Sequence, residues 1–190
     1  MEKSTKIIIA IVAIILIAVV IIAVAINSKP RTKLEAINSA EDLVTLINKV
    51  YEGQDENMYG NFQTQTIDTA EEALVNSFTG LENGENLQYL AVSEPMINAQ
   101  AYSFVLAKVK DGVNANEVAE KMKDNVNSRK WICVSAEKVY ATSSGNVVCL
   151  VMASEEMAKP IYEKFKSLAG TIGQEYEKTE EEIELPPEMF

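Results

Sequence analysis

The sequence predicts an α+β fold: a ferredoxin-like β-β-α-β-β-α antiparallel sheet preceded by two helices, with one N-terminal transmembrane helix. Two observations carry this. Residues Ile7 to Ile26 contain only Ile, Val, Ala and Leu, and twenty such residues in a helix rise about 30 Å, the thickness of a bilayer's hydrocarbon core. Beyond them, segments of period two and period 3.6 alternate in the order strand, strand, helix, strand, strand, helix.

The chain has 190 residues, with about 150 after the hydrophobic run and its flanks, the size of one domain. Its net charge of -11 is unevenly spread: residues 1–33 carry Lys3, Lys6, Lys29, Arg31 and Lys33 against Glu2, a balance of +4, which leaves -15 on the rest. An acidic domain repels nucleic acid, so no nucleic-acid partner is expected, while the basic flanks suit lipid head groups. The lipid bilayer, met through residues 7–26, is the partner the composition implies. There is no histidine, which removes His-based triads, Cys-His dyads and imidazole zinc sites.

Residues 1–6 form a basic tail and 7–26 the expected span. Ala23-Val24-Ala25 fits a signal-peptidase site, but a signal h-region runs about 7 to 15 residues and this run is longer. No Cys follows the run, so a lipid anchor is not expected. Positive charge on both flanks leaves the positive-inside rule undecided. An uncleaved export signal places the domain outside the cell. Residues 27–37, with Pro30, read as a tether.

The soluble domain is expected over 38–172. Ser39-x-x-Asp42 opens a helix as a capping box with Asp for Glu, and Leu43, Leu46, Ile47, Val50 and Tyr51 form its apolar stripe up to Gly53. Residues 53–67 are polar and read as a loop. Asp68 or Thr69 caps a second helix through Phe78, with Gly80 and Gly84 in the turn after it. Residues 87–97 are extended. Ala101–Lys110 is a strand with Tyr102, Phe104 and Leu106 on one face and Ser103, Val105, Ala107 and Val109 on the other. Asn114 caps a helix to Val126. Trp131–Thr142 and Val147–Ala153 are strands joined by a hairpin at Ser143–Asn146. Ser154 starts a last helix carrying Met157, Ile161, Phe165 and Leu168, with Pro160 in its early part. Residues 173–190 are acidic and Pro-bearing, and read as a disordered tail. Val147–Ala153 is apolar on both faces, which implies that the second face of the sheet is covered, by the Ser39–Tyr51 helix or by a partner subunit.

Ser93-Glu94-Pro95-Met96-Ile97, Val109-Lys110-Asp111-Gly112, Arg129-Lys130-Trp131-Ile132, Ala136-Glu137-Lys138-Val139 and Leu150-Val151-Met152 carry a resemblance. On them the stretch from about 87 to 169 resembles a family of bacterial extracytoplasmic domains of unknown function from Gram-positive anaerobes, often lipoproteins or proteins anchored by one N-terminal helix. The resemblance implies a location at the cell membrane, with the C-terminal domain extracytoplasmic, and no activity. The absent lipobox Cys departs from the lipoprotein members.

Chemistry-bearing residues are few. Arg129, Lys130 and Trp131 are the one basic-aromatic cluster of the soluble part: either a surface for an anionic ligand with Trp131 as platform, or a core tryptophan beside solvated cations. Cys133 and Cys149 are either a disulfide or two buried thiols; hairpin register does not place them opposite one another. Asp111–Glu117 fails as a calcium loop because Val113 falls at a ligand position. Glu41-Asp42, Glu71-Glu72 and Glu155-Glu156 sit at helix starts, where they serve the dipole. No phosphate loop, nucleophile elbow or CxxC is present, and no catalytic residue, cofactor or metal is expected. The reading is a membrane-anchored, non-catalytic module that binds or scaffolds an envelope protein or cell-wall component. A carboxylate-dependent cell-envelope hydrolase is the alternative.

Overall fold

Strand Val147–Ala153 buries every side chain, so it needs cover on both sides, and the sheet around it has that cover. The computed structural model describes residues 32–96 and 99–180. In chain order the elements are α1 (Ala40–Tyr51), α2 (Glu56–Tyr59), β1 (Phe62–Ile67), α3 (Glu72–Thr79), β2 (Leu87–Pro95), β3 (Ser103–Val109), α4 (Ala115–Asn125), β4 (Lys138–Ser144), β5 (Val147–Ala153), α5 (Glu155–Ala169) and β6 (Tyr176–Thr179). The strands form one antiparallel sheet in the order β1-β2-β3-β5-β4-β6.

On one face, Leu43, Ile47 and Val50 of α1 and Ile161 and Phe165 of α5 pack against Tyr102, Phe104, Leu106, Cys149 and Val151. On the other, Val75 of α3 and Val118 and Met122 of α4 pack against Leu90, Val92, Val105, Leu150 and Met152. The two faces of β3 and β5 are divided as the alternation of their residues requires. The cover expected from Ser39–Tyr51 is α1, with α5 beside it.

Four expectations are corrected. The ferredoxin-like arrangement is replaced by six strands with helices on both faces: the central strands are apolar on both sides, which one helical layer cannot bury. The predicted transmembrane helix is not borne out: among the described residues no helix is long and apolar enough to cross a membrane. Residues 7–26, where it was placed, lie outside the described residues. Residues 53–67 hold α2 and β1 rather than a loop; β1, FQTQTI, hides its alternation because only Ile67 is buried and its middle positions are polar. Residues 176–179 of the expected tail form β6, held by backbone pairing to β4 and by a Lys138–Glu177 ion pair of 2.7 Å. Residues 181–190 lie outside the described residues.

Residues 32–37 of the expected tether are bonded along the domain. Lys33 N donates to Ala169 O at 2.8 Å, Ser144 Oγ donates to Thr32 Oγ1 at 2.7 Å, and Lys108 Nζ donates to Ile37 O at 2.7 Å. Thr32 therefore sits at the end of the sheet that holds the β4–β5 turn.

The capping box at α1 is complete. Ser39 Oγ accepts from Asp42 N at 3.2 Å, and Asp42 Oδ2 accepts from Asn38 N at 2.7 Å and Ser39 N at 2.9 Å. Those backbone donors hold the Asp42 carboxyl below its ordinary range. Replacing Ser39 by Ala should cost about 1 kcal/mol in urea unfolding. Because the folded carboxyl is the stronger acid, its contribution is present at neutral pH and is lost as pH falls through the folded value. Asp42→Asn should therefore flatten the acid side of the stability curve, below pH about 4.

Candidate functional site

The loop of residues 126–137, between α4 and β4, holds the basic-aromatic cluster. Trp131 was expected to begin a strand; β4 instead begins at Lys138. The reason is local: Ile132 and Cys133 are both exposed, so the two-residue alternation fails, and Cys133 has φ 60, a left-handed conformation that a strand excludes. The loop is closed by Ala136 N donating to Ser128 O at 2.8 Å and by Arg129 N donating to Asn127 Oδ1 at 3.0 Å.

Trp131 is buried against the α3–α4 side of the sheet, as a core residue. Lys130 is not a solvated cation. Its Nζ lies 2.5 Å from Glu94 Oε1 at the end of β2, 4.6 Å from the Phe78 ring centroid and 5.3 Å from that of Trp131. Burial pushes its amine below the usual lysine range, and the Glu94 carboxylate opposes that shift. The amine is thus spent on holding the loop to β2 and α3. Arg129 is exposed at the loop surface.

Two large apolar side chains are exposed on the segments that the Lys130–Glu94 pair joins. Met96, just after β2, is 76% exposed, and Ile132 is 71% exposed. They are the two most exposed large apolar side chains among the described residues. Both flank the Lys130–Glu94 pair in sequence, so that pair joins the segments that carry them. Sequence reasoning missed both, because Ile132 was placed inside a strand and Met96 in an extended run. The signal available was the adjacent Trp131-Ile132 pair, since neighbours in a strand cannot both face one core.

The cysteines do not meet. Cys133 is exposed on the loop, Cys149 is buried on β5 opposite Thr142, and both are free. Burial pushes the Cys149 thiol well above its ordinary range. A thiol reagent should therefore titrate one cysteine in the native protein and both after denaturation.

A groove of about 330 Å³ beside α5 and β6 is lined by Tyr140, Tyr162, Glu155, Glu163, Glu175 and Glu177. Its carboxylates are paired: Glu155 with Lys159, Glu163 and Glu175 with Lys166, and Glu177 with Lys138. Lys166 and the Tyr162 hydroxyl hold Glu175 below its usual range, the opposite of what a general acid requires. Among the described residues no group of three or more His, Cys, Asp or Glu is placed to hold a metal ion.

No family model, curated protein or solved structure matches this chain. The loop end offers exposed apolar contacts on a fixed frame, whereas the acidic groove offers neutralised charge.

Proposed function

We propose that this chain is a non-catalytic binding or scaffolding module of the cell envelope, and that it meets its partner through the loop end bearing Met96 and Ile132. The observation that carries this reading is the exposure of these two side chains, 76% and 71%, on segments joined by the Lys130–Glu94 pair. Exposed apolar side chains on a pre-ordered frame contribute binding free energy without a large ordering cost. The composition of Ile7–Ile26 and the resemblance over residues 87–169 support a location at the cell membrane, with the domain on the extracytoplasmic side.

A photo-crosslinking residue at Ile132, in cells, should yield an adduct with an envelope protein or cell-wall material. Met96→Asp should abolish the adduct while leaving thermal unfolding unchanged. Equal labelling from the exposed face of α4, for instance at Glu120, would remove the case for this surface.

A further inference from the structure

Sulfur is unevenly hidden in this chain. Of its seven methionines, Met1 and Met189 lie outside the described residues. Met122 of α4 and Met152 of β5 are fully buried in one core layer, and Met58 of α2 is half-buried against the other. Met157 of α5 is buried too, and its sulfur accepts from Gln100 Nε2 at 3.1 Å. Met96 is the exposed methionine among the described residues. A thioether reacts with a two-electron oxidant where the oxidant reaches the sulfur, and a core sulfur is reached only when the domain opens. The methionine open to oxidation is therefore the one that the docking surface presents. Oxidation there also reverses the property that makes Met96 a contact. A thioether is a flexible apolar group that adapts to a partner's surface, whereas a sulfoxide is polar and must find a hydrogen bond when it is buried.

We propose that Met96 is a modification site, converted by hydrogen peroxide to the sulfoxide, and that the sulfoxide releases the partner held at the loop end. The inference rests on the docking reading above and adds its regulation. A lone pair of the Met96 sulfur forms an S–O bond with one peroxide oxygen, the O–O bond breaks, and the other oxygen leaves as water with both protons. The thioether gives up two electrons and the peroxide takes them. A methionine sulfoxide reductase restores the thioether, with two thiols oxidised to a disulfide and the oxygen lost as water. The placement suits a reversible change. Met96 lies two residues beyond Glu94, which Lys130 holds, and the methionines whose oxidation would disrupt the core are buried.

The test uses the full chain in detergent, with the photo-crosslinking residue at Ile132 and with Cys133→Ser, which removes the exposed thiol. The purified chain is treated with hydrogen peroxide, the peroxide is destroyed, and the chain is added to cell envelopes, so that this protein alone is oxidised. Peptide mapping should show Met96 oxidised at least about tenfold faster than Met122, Met152 or Met157, with thermal unfolding unchanged. The Ile132 adduct should fall at least about fivefold and return after treatment with methionine sulfoxide reductase and dithiothreitol. In Met96→Leu, a swap of similar volume without sulfur, peroxide should leave the adduct at its untreated level. Oxidation of Met96 no faster than that of the core methionines overturns the proposal. So does a fall in adduct that persists in Met96→Leu, which assigns the effect to another sulfur. An adduct lost on Met96→Asp but indifferent to oxidation overturns the switch and leaves the docking reading standing. An adduct indifferent to both overturns the two together.

Discussion

Gly80→Ala is expected to lower the stability of the domain by about 3 to 4 kcal/mol, seen as a fall in melting temperature of about 10 °C. Gly80 closes α3 with φ 72, a conformation that costs an L-residue about 1 to 2 kcal/mol. The larger part comes from its neighbours. A Cβ there would lie 2.3 Å from Val126 N, 2.4 Å from Asn125 C and 2.7 Å from Asn125 O. These are backbone atoms at the end of α4, whose Val118 and Met122 are buried in the core, so nothing near the clash is the free end of a side chain. Gly53 is the control. It has φ 78 but nothing within 4 Å of the added carbon, so Gly53→Ala should cost only about 1 to 2 kcal/mol. If the two variants unfold alike, the close approach of α3 to α4 is not what Gly80 is for. The displacement also falls at Val126, the first residue of the loop that carries Lys130 and Ile132. Gly80→Ala should therefore weaken the Ile132 crosslink at temperatures where the domain is still folded.

How much of this was legible in the sequence depends on how each residue is used. α1 was readable in full, because its stripe is apolar on one face and its cap is a local motif whose partners are three residues apart. The faces of β3 followed from alternation alone. β5 showed that both sides of the sheet are covered, but left the cover open between α1 and a partner subunit. The strands at the edges were not readable. β1 buries only Ile67, and β6 alternates half-buried with exposed charged or hydroxyl residues, so neither has a hydrophobic period; their order comes from backbone pairing with β2 and β4. The candidate site was half readable. Residue type singled out Arg129, Lys130 and Trp131, but the role of Lys130 depends on Glu94, which is 36 residues away and which no spacing or periodicity links to it. Cys133 in a left-handed conformation is likewise invisible to a residue-type argument, which expects glycine or asparagine there.

Lys130→Met is expected to cost about 3 kcal/mol, because it leaves the Glu94 carboxylate partly buried without its cation. The side chains are 12% and 24% exposed, so some water reaches Glu94, which places the loss at the low end of the range for a broken buried pair. The stacking of the amine on Phe78 and Trp131 adds to the loss, though methionine retains the apolar part of those contacts. Lys130→Met with Glu94→Leu removes both charges and should recover stability to within about 1 kcal/mol of the parent, since a hydrophobic pair avoids the desolvation that the ions incur. Urea unfolding of the four proteins closes the cycle and yields the coupling between the two residues. The same double variant separates stability from positioning. An ion pair fixes two points 2.5 Å apart, whereas Met and Leu fill the space without fixing a direction. If the pair serves to fix the segment that carries Ile132, the double variant folds but loses most of its Ile132 crosslink. If the crosslink persists at full yield, the pair is a packing element, and the loop end is held by Trp131 and the closing bond from Ala136 to Ser128 instead.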